Sequence, residues 1–192
     1  LPRIMRWNRV HRNPFTFTTE ASINLSDDPS LMEMMAAAGF ERIFVGIETV
    51  NEESLEECEK NHNRDRDLVA SVRLIQDAGM EVTGGFIVGF DNDPPSIFQR
   101  QIEFIQESGI ITAMVGLLNA PNRTRLYERL SREGRIIENF DGNNTNLSMN
   151  FIPAMDKEKL LRGYHTILQS IYSSKNYYDR LIRFLRNYTT GP

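Results

Sequence analysis

Thr83-Gly84-Gly85-Phe86-Ile87-Val88-Gly89-Phe90-Asp91-Asn92-Asp93-Pro94 is the stretch on which the fold of this chain turns. It reads as a buried strand carrying glycines, then an acidic turn, then a helix opened by proline. Glycine weakens a strand, so Gly85 and Gly89 imply that something approaches the backbone closely there. Two occupants satisfy that reading, a bound ligand or a tightly packed neighbouring element.

The same unit recurs on either side. Residues 15–19 alternate apolar and polar, and Asp28-Pro29 then supplies a cap and a first-turn proline. Leu31, Met34, Met35 and Ala38 follow at helical spacing as core filler, and Gly39 closes the helix. Residues 42–48 form a near-continuous apolar strand. A short helix around 54–59 and a longer one marked by Leu68, Val72 and Ile75 lead to the glycine-bearing strand, 82–90. A helix with Phe98, Ile102 and Ile105, a fourth strand over 111–118 and a helix with Leu126, Tyr127 and Leu130 complete the series. Strands alternating with helices define βαβ units, a parallel sheet and an α/β fold. Their right-handed crossovers make them part of a β/α barrel, which four strands leave open.

From Asp141 the character changes to a polar loop over 141–146, then helices carrying Leu160, Tyr164, Ile167 and Ile171, and finally residues 177–188. The expected organisation is a partial barrel over 1–140 and a helical extension over 141–192. Arg180, Arg183 and Arg186 recur every three residues in the last helix. Such a row reads as a solvated face, or as a contact for anionic lipid or an acidic partner.

A chain of 192 residues can bury a substantial core, and its net charge of −4 speaks against a broad nucleic-acid footprint. No apolar run reaches the roughly 18 residues of a membrane span, and no signal peptide is visible, so a reducing cytoplasm is the expected location. The single cysteine, Cys58, excludes an internal disulfide and a cysteine-ligated metal site within this chain. The sequons at Asn122 and Asn146 carry no weight without secretion. The start at Leu1, without an initiator Met, is expected to mark a fragment.

Barrels place function at the C-terminal ends of their strands. Thr19-Glu20, Glu48, Asp91 and Asn119 stand at the four expected exits, giving an acidic rim suited to amines or hydroxyls. Glu48 lies two residues past Gly46, so the glycine clears space beside its carboxylate. His11, His62 and His165 lack ligand spacing, and no nucleophile elbow or Walker loop is present.

Four stretches carry a family resemblance: Thr19-Glu20-Ala21-Ser22-Ile23-Asn24-Leu25-Ser26-Asp27-Asp28-Pro29, Phe44-Val45-Gly46-Ile47-Glu48-Thr49, Gly85-Phe86-Ile87-Val88-Gly89-Phe90-Asp91, and Leu117 through Tyr127. With the tail from Asn150-Phe151-Ile152-Pro153 to Asp179-Arg180, they make the chain resemble the C-terminal part of the catalytic region of cobalamin-binding-type radical SAM proteins. The nearest branch holds anaerobic magnesium-protoporphyrin monomethyl ester oxidative cyclase-like and hopanoid methylase-like proteins.

The resemblance implies an open radical-SAM-type barrel, with the four stretches as its third to sixth strands. It implies S-adenosylmethionine and a [4Fe-4S] cluster as cofactors of the parent, with cobalamin a candidate third, and methylation or oxidative ring closure of a tetrapyrrole or lipid-like substrate. Glu48 would contact the ribose or amino-acid part of S-adenosylmethionine. Gly85, Ile87 and Gly89 match the family's G-x-I-x-G-x-x-E, with Ile87 on the adenine and Asn92 in place of the final Glu. Asp91 belongs to the same cofactor-binding exit, Leu118 and Asn119 would touch adenine by position, and Glu20 would face substrate.

The cluster motif C-x-x-x-C-x-x-C, the glycine-rich stretch for the methionine amine and a cobalamin domain are absent from this sequence. As given, the chain is therefore expected to be inactive, to hold no metal or cofactor, and to self-associate through its open sheet or fold its tail against the opening. Two rivals stay open: a β/α-barrel lyase or hydrolase using Glu20 and Glu48 as an acid–base pair, and a non-catalytic binding module.

Overall fold

Four strands, β1 (Phe17–Ala21), β2 (Phe40–Glu48), β3 (Glu81–Val88) and β4 (Ala113–Leu117), pair in parallel and in chain order. They were placed by a computed structural model, which describes residues 1–140, 142 and 149–188. The helices are α1 (Pro2–Val10), α2 (Pro29–Ala38), α3 (Glu52–Glu57), α4 (Leu68–Asp77), α5 (Ile97–Ser108), α6 (Arg125–Arg132), α7 (Lys157–Ile171) and α8 (Ser174–Asn187). The polar loop expected over 141–146 and the Asn146 sequon fall largely outside the described residues.

Local chemistry sets the helix ends. Asp28, Asp67, Thr124, Asp156 and Ser173 each accept a bond from a first-turn amide of the helix that follows. Gly39 and Gly109 close α2 and α5 in the left-handed conformation, at φ 94° and 72°.

Alternation along the strands divides the sheet into two faces. Ile43, Val45 and Ile47 are fully buried on the convex side, each contributing roughly 1.5–3 kcal/mol. Phe44, Gly46 and Glu48 point the other way and are only half-buried. On β3, Phe86 meets Phe104 of α5 edge-on at 5.9 Å, while Thr83, Gly85 and Ile87 face the concave side. Met114 of β4, the register partner of Gly85, is 61% exposed there, so the concave face is open.

The tail shares the barrel's core rather than forming one of its own. Met149, Phe151, Leu160, Ile167 and Ile171 belong to the same buried cluster as Val88 and Phe98. Gly163 lets α7 lie directly on α5, since a Cβ there would sit 2.4 Å from the Phe98 ring. On β4, the Tyr172 hydroxyl accepts from Ala113 N at 3.2 Å and donates to Ala113 O at 2.8 Å. The described residues of the tail thus pack on α5 and along β4, and they leave the concave face uncovered.

Three expectations shift. The first strand runs Phe17–Ala21 rather than 15–19, because Phe15 stacks on Trp7 at 5.6 Å and pairing begins only with Phe17 N to Gly39 O. The helix after the glycine strand starts at Ile97, beyond both Pro94 and Pro95, since a residue preceding proline avoids helical geometry. Arg180 is not on a solvated face: it is fully buried.

Among the described residues, β1 has no strand on its outer edge. Such an edge is a template for pairing. The chain is expected to dimerise by light scattering at tens of micromolar, and Thr18→Pro, at a position whose N–H points away from β2, should return it to a monomer. A monomeric unsubstituted chain would refute edge pairing.

Candidate functional site

The concave face at the strand exits is built around Glu48. The β2–β3 register slips between Gly46 and Glu48, and Glu48 takes a left-handed φ of 65°. That conformation costs a side-chain-bearing residue roughly 1–3 kcal/mol, so the surroundings must impose it. Asn63 does so in part, donating to Gly46 O at 3.1 Å and Ile47 O at 2.9 Å. The displaced carboxylate then meets Lys60 Nζ at 2.8 Å. A Cβ on Gly46 would lie 2.6 Å from Glu48 Oε1 and 3.2 Å from Lys60 Nζ, so the glycine leaves the room in which the two side-chain ends meet. Gly85, the register partner of Gly46, has its space filled by the Phe44 ring, 2.8 Å from a built Cβ. Ile87 lies on the same face beside Gly116, which adds no side chain.

Beyond β3 and β4 a cavity of about 340 Å³ opens between Phe90, Leu118, Pro121 and Leu126, with Cys58 and Glu57 on the α3 side. Gly89, at φ 111°, makes the turn into it, and its missing Cβ is matched by Leu118, Met149 and Leu160 at 3.2–3.5 Å. Burial pushes the Cys58 thiol up from its ordinary pKa, so this half-buried cysteine is a poor nucleophile.

The four rim groups do not converge on one mouth. Glu20 lies within β1, exposed and in register with Phe44, and so shares the concave face with Glu48. Asp91 turns outward and is clamped by Arg135 at 2.6 and 2.8 Å and by Arg129 at 2.6 Å. Asn119 Oδ1 accepts from Asn150 N at 3.0 Å, tying the β4 exit to the tail. Leu118 lines the cavity. Lys60 carried no sequence signal, and Phe90 and Leu126, though within motif-bearing stretches, were not read as site residues, because each reaches the site from a different loop or helix.

The ion pair and the cavity meet at Cys58, which lines the cavity and lies within the electrostatic reach of both Glu48 and Lys60. No cluster fits the donors present: Cys58 is the one cysteine, and the described residues contain no group of three or more metal-ligating side chains. No described helix is long and apolar enough to cross a membrane.

An open parallel sheet with helices on its convex side and a cavity at its strand exits makes this an α/β fold of partial-barrel type. The chain belongs to the radical SAM superfamily, whose model matches residues 2–105; residues 124–192 match a domain of unknown function, DUF4070. It is 38% identical, over 95% of its length, to an uncharacterised methyltransferase of Synechocystis sp.. It is 33% identical, over 85%, to hopanoid C-2 methylase of Rhodopseudomonas palustris. The chain spans about a third of each, 34% and 32%. In solved structures it resembles the radical S-adenosylmethionine methyltransferase TsrM of Kitasatospora setae, which holds cobalamin and a [4Fe-4S] cluster. That fit has a TM-score of 0.56 at 16% identity, over 85% of this chain and 34% of that one, and shows the fold.

Proposed function

We propose that this chain is the S-adenosylmethionine-holding part of a radical SAM methyltransferase. The observation that carries the reading is the Glu48–Lys60 pair at the β2 exit, joined through Cys58 to the cavity between Phe90 and Leu118. Leu118, Phe90 and Leu126 would enclose the adenine, with Ile87 on the concave side. Glu48 would accept from ribose hydroxyls or the methionine ammonium, and Lys60 would face the carboxylate. S-adenosylmethionine held there would supply radical chemistry at an unactivated carbon, with the electron coming from a cluster whose ligands lie outside this sequence. The protein's own residues bind, orient and shield; three thiolates for the cluster must come from outside this sequence, so the chain alone is expected to be inactive.

The substrate would enter over the open concave face past Glu20 and Met114. A polycyclic lipid or a tetrapyrrole is the proposed class, since relatives are named for hopanoid and, at 25% identity over 92% of this chain, for bacteriochlorophyllide d. Methyl transfer is favoured over oxidative ring closure because those relatives are named methylases and methyltransferases. Cobalamin would then be the methyl carrier of the whole protein. A cytoplasmic site of action and the division at residue 140 are part of the same proposal.

The test uses the whole protein, reconstituted anaerobically with iron and sulfide and given S-adenosylmethionine and reductant. Glu48→Ala is expected to lower 5′-deoxyadenosine formation at least tenfold, about 1.4 kcal/mol or more of lost interaction. Equal formation by the variant would remove Glu48 from the cofactor site.

A further inference from the structure

Asn92 occupies the final position of the glycine-strand motif, where a carboxylate stands in the family pattern. The neighbouring residue supplies one. Asp93 is 8% exposed, and its Oδ2 accepts from Gly89 N at 2.8 Å and from Phe90 N at 3.1 Å. Its other oxygen accepts from Ser54 Oγ at 2.8 Å. Asn92, in contrast, points its side-chain amide outward to Glu57 at 3.1 Å.

The bonds behind Asp93 run in one direction. Arg100, which can only donate, bonds Asn51 Oδ1 at 3.1 Å, so the Asn51 amide nitrogen must face Ser54 Oγ, also at 3.1 Å. With one hydrogen left to give, Ser54 donates to Asp93. The relay therefore ends on a group required to accept from both sides: one hydroxyl on one oxygen, two backbone amides on the other. An ionised carboxylate is the side chain with no donor of its own. Burial pushes the Asp93 pKa up, and the bonds from Gly89, Ser54 and Phe90 oppose that. The amides it holds belong to the left-handed Gly89 turn and to Phe90, a wall of the cavity.

We propose that Asp93 is the positioning residue of the adenosyl pocket, displaced by one from the motif's acidic position, and that it sets the Phe90 wall through the Gly89–Phe90 turn. This rests on reading the cavity as the adenosyl site. Asp93 itself touches no cofactor; it acts through two amides. Because Ser54 and Asn51 follow β2, the same relay ties the Phe90 wall to the strand that carries Glu48.

The test is calorimetric binding of S-adenosylhomocysteine and of 5′-deoxyadenosine to the whole protein that carries this chain, with amide hydrogen exchange on the same samples. Asp93→Asn, which sets a donor against either the amides or Ser54, is expected to weaken both ligands about tenfold. The factor should be equal for the two, and exchange should speed up at Gly89 and Phe90 but not at Ile43 or Val82. Asn92→Ala is expected to bind as the unsubstituted chain does. Leu118→Arg, which fills the cavity, should abolish binding. If Leu118→Arg abolishes binding while Asp93→Asn stays within twofold of the unsubstituted chain, the role of Asp93 is overturned. The same follows if Asn92→Ala is the variant that weakens binding, or if Asp93→Asn loses affinity without faster exchange at the two amides. No binding by the unsubstituted chain, or full binding by Leu118→Arg, would instead remove the adenosyl reading, and this role with it.

Discussion

Arg180→Ala is expected to destabilise the fold by about 3–4 kcal/mol in urea denaturation, with an unchanged slope. Arg180 is fully buried on α8, with Tyr172 and Tyr177 rings 5.9 and 5.8 Å from its guanidinium carbon. It donates to Ile171 O at 2.6 Å, to Ile111 O at 3.2 Å and to the side chain of Gln106. One guanidinium thus joins the last turn of α7, the approach to β4 and the face of α5. Among the described residues no carboxylate is paired with it, and burial pushes its pKa below the ordinary arginine value, so the cation itself is not stabilising. Two effects compete on removal: relief of a buried charge, and loss of volume together with several donors. The second should win, because the carbonyls and the Gln106 oxygen would stay buried without partners. Arg180→Met, which restores volume but no donors, should recover about half of the loss. If methionine matches or exceeds arginine in stability, the hydrogen bonds are worth less than the charge costs.

Asp91→Asn is expected to cost about 2–3 kcal/mol, and to remove an acid-sensitive part of the stability. Asp91 takes a two-pronged bond from Arg135 and a third from Arg129, which also reaches Glu57 at 2.7 Å. The carboxylate is 19% exposed and Arg135 20%, so screening is partial. Arg135 foremost, then Arg129, holds the Asp91 pKa below the usual carboxylate value, against burial. A depressed folded pKa means that this stability is fully present above the unfolded value of about 3.9 and is lost as pH falls through the folded one. Between pH 6 and pH 3 the unsubstituted chain should therefore lose more stability than Asp91→Asn. Parallel losses in the two proteins would show that the cluster is not linked to folding.

These two residues show what the sequence could and could not carry. The sheet was legible because its signals are local: alternation puts Gly46 and Glu48 on one face, and small-Gly endings mark α2 and α5. Asp91 and Glu48 are equivalent in a sequence, each an acid at a strand exit. They part company only through remote partners, Arg129 and Arg135 for one and Lys60 for the other. Arg180, Arg183 and Arg186 form a row by count, yet residues three apart on a helix differ by about 60° in direction, so a row of three turns from solvent to core. Packing against α5 decides which end is buried. Asp93 was hidden for a related reason, since alignment to a motif fixes a position but not the direction of a side chain.

The two sheet edges differ in a way that bears on assembly. Tyr172 satisfies both backbone groups of Ala113, and Asn119 Nδ2 reaches Leu117 O at 3.4 Å, so the β4 side is stopped at its two ends. On the β1 side the outward Glu20 O accepts from its own neighbour, Thr19 Oγ1, at 3.4 Å, but among the described residues no group from the tail reaches that edge. A particle sticky on one side only can join one other like itself and then has nothing left to offer. Growth through these edges would end at a symmetric pair, whereas removing the tyrosine hydroxyl, as in Tyr172→Phe, would give each copy two adhesive ends and open a route to filaments.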